Sequence, residues 1–125
     1  MAAAAFLKDN GETRGFTTYW LAYSLAFLSH EQVIFAARLP FQADMQLSAH
    51  DSQVYPAYTD LACQSPRVAY LTAHLPALDQ RLREGLADLG VTYQEKQIGD
   101  LRVFYALSRK VVPQELGLGG GCGEP

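Results

Sequence analysis

The chain has 125 residues, 49% hydrophobic and 18% charged, enough for one domain with a buried core and too apolar for a disordered segment. Its formal net charge of -3 gives no basic footprint, which argues against nucleic acid as a partner. Two cysteines, Cys63 and Cys122, are too few for a disulfide scaffold. They are expected as free thiols, because Cys122 lies in a glycine-rich tail that presents no fixed pairing geometry.

The N-terminal MAAAAF lacks the basic region of a signal peptide, and Lys8, Asp9 and Asn10 interrupt the apolar run behind it. Two expectations fit: a cytoplasmic protein, or a piece of a longer chain whose targeting and membrane segments lie elsewhere. Residues 2–10 read as a helix that Asn10 and Gly11 stop. Residues 11–15 read as a turn, since a phosphate loop follows a strand and opens a helix, whereas this stretch follows a helix and opens a strand. A strand at 13–16, a helix at 18–29 and a strand at 32–38 come next. That helix is apolar on nearly every side, from Tyr19 and Trp20 to Phe27 and Leu28. Such a helix is a core element or a membrane span. About ten apolar residues fall short of the roughly 20 that a span needs, so a core position is expected. Thr17 or Thr18 would supply a hydroxyl N-cap. A helix joining two strands of one sheet makes those strands parallel.

Residues 39–66 are irregular, with Pro40, Pro56 and Pro66 and one or two helical turns at 58–63; loops of this length are usually functional or mobile. The apolar run RVAYLT at 67–72 predicts a buried, parallel strand. Over 75–89, leucines at 75, 78, 82, 86 and 89 form one helical stripe, with Asp79, Arg81, Arg83, Glu84 and Asp88 on the opposite face. Pro76 suits the first turn and Gly90 the stop. Residues 91–98 and 101–108 form a hairpin about Gly99 and Asp100, a Gly-X pair that favours a type II′ turn. The expected fold is an α/β sandwich, with a mostly parallel sheet of about five strands, a C-terminal antiparallel hairpin, and helices packed on the sheet. Residues 1–110 make the single domain and 111–125 a flexible tail.

No catalytic residue is assigned from the sequence. The histidines His30, His50 and His74 have no zinc-site spacing, so no metal and no cofactor are expected. No GxSxG is present, and Ser24 sits inside the apolar helix. One geometric rule remains: open parallel sheets bind ligands beyond the carboxyl ends of their strands. Those ends carry Thr17, Thr18 and Tyr19, then Arg38, then Thr72 and His74, and the long loop adds Tyr55 and Tyr58. These are the candidate ligand-binding residues; the other reading makes them caps and packing tyrosines.

The run Gly15-Phe16, Tyr19-Trp20, Ala22-Tyr23, Leu25, Phe27, Ser29, Glu31 and Val33, followed by Tyr55, Pro56 and Tyr58, resembles a soluble segment near the C-terminus of certain bacterial integral-membrane proteins. These belong to the protein-mannosyltransferase-like glycosyltransferases that use polyprenyl-phosphate sugars. The resemblance covers roughly residues 6–108. It departs at Val54, where an arginine is expected, and at Ala57, where a second proline is expected; any anion contact made by that arginine is absent here. The resemblance implies a non-catalytic, membrane-attached extracytoplasmic domain that shapes an acceptor site or docks a partner. Its partners would be the transmembrane portion of a parent chain and, through it, a polyprenyl-linked sugar or acceptor. Two other classes stay open. One is a free-standing cytoplasmic α/β domain that binds a small anionic metabolite at the strand edge. The other is a structural interaction domain that meets a partner through the exposed face of the 75–89 helix or through the loop.

Overall fold

The structure, a computed structural model, describes residues 2–37, 39, 56–73 and 75–116. Within them, in chain order, are α1 (Ala2–Asp9), β1 (Arg14–Thr17), α2 (Tyr19–Leu28), β2 (Ile34–Ala37), α3 (Pro56–Gln64), β3 (Ala69–Ala73), α4 (Pro76–Asp88), β4 (Gln94–Ile98), β5 (Leu101–Tyr105) and a 3-10 turn at Pro113–Leu116. The strands form one sheet in the order β2-β1-β3-β5-β4. β1 pairs in parallel with β2 and β3, whereas β5 runs antiparallel to β3 and β4. Four strands therefore share one direction, and the expected α/β fold is present. The hairpin continues the sheet as its second half.

Alternate strand residues point to opposite faces, and each face has its own core. Phe16, Tyr70 and Phe104 pack with Ala62 of α3, with Leu78, Leu82 and Leu86 of α4, and with Leu116 of the 3-10 turn. Phe35, Ala69, Leu71 and Val103 pack with Leu7 of α1 and Leu25 of α2. The crossover from β1 to β2 thus covers one face through α2, and the crossover from β2 to β3 covers the other through α3. This is why β1, β2 and β3 are apolar on both sides.

Several local expectations change. Arg14 and Gly15 belong to β1 and not to a turn. Gly15 pairs with Phe35 on one side and Ala69 on the other. A Cβ there would lie 2.0 Å from the Ala69 carbonyl oxygen and 2.8 Å from a Phe35 ring carbon. Glycine inside a strand marks such a close approach. α3 runs over nine residues, with a proline at its first position, where the fixed φ suits a helix start. Asp79 does not face away: it is buried, accepts the Thr72 hydroxyl at 2.5 Å, and lies 3.6 Å from Arg102. Residues 111–116, expected in the tail, pack on the core. Val111 is fully buried, and its carbonyl accepts the Tyr70 hydroxyl at 2.5 Å; burial pushes that phenol well above its ordinary value of 10. Gly99 at φ 61 joins Ile98 and Leu101 as a II′ turn requires. Cys63, expected as a free thiol, is disulfide-bonded; Cys122, the other cysteine of the sequence, and the tail 117–125 lie outside the described residues.

Gly15→Ala is expected to destabilise the fold by about 2–3 kcal/mol, because the colliding atom is backbone and cannot rotate away. A urea midpoint equal to that of the parent chain would contradict the β1–β3 spacing. Acid sensitivity should come in part from Glu95 on the edge strand. It accepts Arg83 at 3.0 and 3.1 Å and Arg102 at 3.3 Å. Those bonds, the Arg83 pair foremost, hold its carboxyl below the ordinary value of 4.5. A carboxyl lowered by folding adds stability above its unfolded value and loses it as the pH falls through the lower folded value. The groups are partly solvated, so the contribution is below about 1 kcal/mol. Denaturation series near neutrality and in acid should therefore show a flatter acid decline for Glu95→Gln than for the parent; equal declines would exclude this role.

Candidate functional site

The order β2-β1-β3 puts the reversal of strand order at the carboxyl ends of β1 and β3, where open α/β sheets form their ligand crevice. The sequence placed its candidate residues by this rule, and the parallel pairing of β1 with β2 and β3 brings those strand ends to one edge. The Thr17 and Thr72 hydroxyls there are engaged within the protein. Thr17 is fully buried and donates to the Leu71 carbonyl at 2.8 Å, bridging β1 and β3. Thr72 is fully buried and donates to Asp79. Thr18 occupies the N-cap of α2 in an extended conformation but makes no side-chain cap hydrogen bond, contrary to the expected hydroxyl cap. Tyr19 opens α2. Arg38, Tyr55 and His74 lie outside the described residues.

A second cluster forms where α2 ends. The chain must reverse from helix to strand within five residues, with no glycine to help. The N–H of His30 bonds to the Phe27 carbonyl at 3.2 Å and that of Glu31 to the Ala26 carbonyl at 2.7 Å. This is a Schellman cap, with His30 at φ 54 where glycine is usual and Glu31 also left-handed at φ 62. Each such residue carries on the order of 1 kcal/mol of strain. The buried Ser29 braces the turn, its hydroxyl oxygen accepting the Val33 N–H at 3.0 Å. Tyr58, from α3, donates its hydroxyl to Glu31 Oε2 at 3.0 Å. Tyr58 is thus a candidate residue that the structure joins to an exposed charged group outside the candidate set. Its partner, Glu31, entered the sequence reading only as part of the resemblance. A helix end lacking both glycine and asparagine before an apolar strand was the available signal.

Ala26, Phe27, His30, Glu31 and Tyr58 line an open depression of about 620 Å³. Phe27 is 79% exposed, Leu28 50% and Leu61 42%, and Leu28 and His30 border a neighbouring hollow beside α1. The α2 helix, expected as an enclosed core element, therefore buries Ala22, Leu25 and Ala26 and leaves an apolar flank in water. The arrangement can hold a surface: aromatic and aliphatic area, bordered by a carboxylate, a phenol and an imidazole. Among the described residues, no group of three or more His, Cys, Asp or Glu could hold a metal ion, and no helix is long and apolar enough to cross a membrane. Comparison with protein-family models, curated proteins and solved structures finds no match.

His30→Gly is expected to raise stability by about 1 kcal/mol, because glycine adopts the left-handed conformation without a Cβ clash. A calorimetric scan reads this as a higher Tm, and an unchanged or lower Tm would show that the His30 side chain offsets its own strain.

Proposed function

We propose that the chain is a non-catalytic, membrane-attached extracytoplasmic domain of a glycosyltransferase-like protein, where it shapes an acceptor site or docks a partner. The observation that carries this reading is the Tyr58–Glu31 hydrogen bond. Glu31 belongs to the helix part of the resemblance and Tyr58 to its separate tyrosine–proline box, 27 residues further on. A motif whose two halves meet in space behaves as one unit. Several other matching residues have structural uses, as suits a domain that does no chemistry itself. Gly15 and Phe16 belong to β1, between β2 and β3, Ala22, Leu25 and Val33 are buried, and Ser29 braces the turn. The exposed flank of α2 supplies a surface for the rest of a parent protein, since contiguous exposed apolar area marks interaction sites.

Immunoblotting of fractionated cells with an antibody against this chain tests the reading. A membrane-fraction polypeptide far larger than 13.8 kDa is expected, and a soluble species of that mass would overturn it. The purified 125-residue chain should also show no transfer from a polyprenyl-phosphate sugar; turnover would refute the non-catalytic assignment.

A further inference from the structure

We propose that the pocket beside the end of β5 binds a small phosphate-type oxyanion, independently of the reading above. The pocket, about 420 Å³, is lined by Arg67, Arg109 and Lys110 together with Ser108, and among the described residues no carboxylate lines it. Three cations converge on one hollow in a chain whose net charge is -3.

The hollow has a built frame. Glu12 is buried, and its Oε2 accepts Arg67 Nη2 at 2.8 Å and the Ala106 N–H at 2.9 Å. Ala106 sits at φ 56, a left-handed conformation that alanine rarely adopts. The strand therefore ends abruptly, and Ser108, Arg109 and Lys110 join Arg67 around the same space. Backbone strain held in place by a buried polar contact is a recurrent property of ligand sites.

Donors remain after the internal contacts are counted. A guanidinium has five N–H groups. Arg67 reaches Glu12 and the Asn10 carbonyl through Nη2, and Arg109 reaches Glu115 and the Lys110 carbonyl through Nη1. The Ser108 oxygen accepts the Thr92 N–H at 3.0 Å, which leaves its own O–H to donate. Lys110 donates to the Cys63 carbonyl and has three N–H groups in all. Among the described residues, Glu12 and Glu115 set against the three cations leave one positive charge in excess. Several charged donors around one space suit a tetrahedral oxyanion, which offers acceptors in several directions.

The test is an NMR titration of the full chain with inorganic phosphate, against sodium chloride at equal ionic strength. Saturable shifts centred on the amides of residues 106–110 are expected. The double variant Arg109→Gln/Lys110→Gln should bind at least about tenfold more weakly, because it removes two charge-assisted contacts. Lys96→Gln, on the exposed edge strand, should bind as the parent does. The variant's own spectrum reports whether it is folded. Sedimentation with phosphatidylcholine vesicles, with and without phosphatidic acid, distinguishes the source. Binding of phosphate alone assigns a free anion, and vesicle binding abolished by the double variant assigns a lipid headgroup; both support the site. No saturable response, an equal response to chloride, shifts centred on the β1–β3 edge, or undiminished binding by the double variant would each overturn it.

Discussion

The fold depends on the packing of β1 between two parallel neighbours. Parallel pairing on both sides needs two crossovers, because the chain must return to the same end each time, and right-handed connections running in opposite directions along the sheet lie on opposite faces. α2 and α3 provide these, and each brings its own core. The spacing is tightest at Gly15, where the Ala69 carbonyl and the Phe35 ring occupy the room a side chain would need. Glycine weakens a strand through lost backbone entropy. Here that cost is offset by the pairing with Phe35 and Ala69 that the missing Cβ permits. The same arrangement brings Thr17 against Leu71 and so fixes the edge at which strand order reverses.

A polar contact then ties the two halves of the sheet together. The Glu12 carboxylate, buried just beyond the end of α1, reaches Arg67 before β3 and Ala106 after β5. A buried carboxylate costs several kcal/mol unless it is paired and hydrogen-bonded. Its Oε2 meets that need, and Arg67, more than half exposed, keeps part of its hydration. The bond to Glu12 raises the Arg67 guanidinium still further above its ordinary value. Its Oε1 has no hydrogen-bond partner among the described residues, so the contact is better suited to fixing the course of the chain than to adding net stability.

The legible part of the fold was the part set by apolar periodicity. The leucine stripe of α4, the apolar runs of β2 and β3 and the Gly99 turn each declare a local preference, and Leu78, Leu82 and Leu86 are buried as their spacing predicts. What was not legible depends on partners far along the chain. Asp79 looked solvent-facing because a hydrophobic stripe counts only apolar residues; Thr72 and Arg102, on strands that pair in register, draw it inward. Ala106 gives no local sign of a left-handed backbone, since the group that holds it is 94 residues away. At the candidate site, the rule for parallel sheets located an edge, but the Thr17 and Thr72 hydroxyls were already committed to contacts that the rule does not describe.

The α2 helix shows why composition alone misjudged its surroundings. A helix apolar all round has no polar face to turn toward water, so its sequence is the same whether its outer side meets its own domain or another surface. The described residues cover one side, with Ala22, Leu25 and Ala26 against the sheet, and leave Phe27 and Leu28 outside. Leaving a phenylalanine in water forgoes roughly 1.5–3 kcal/mol that burial would contribute. Phe27 is therefore a matching residue whose identity this domain's interior does not require. It lies beside a strained turn, in a depression bordered by Glu31 and Tyr58. On the proposed reading Phe27 meets the remainder of the parent protein, and the helix is a core element of the larger assembly rather than of this domain alone.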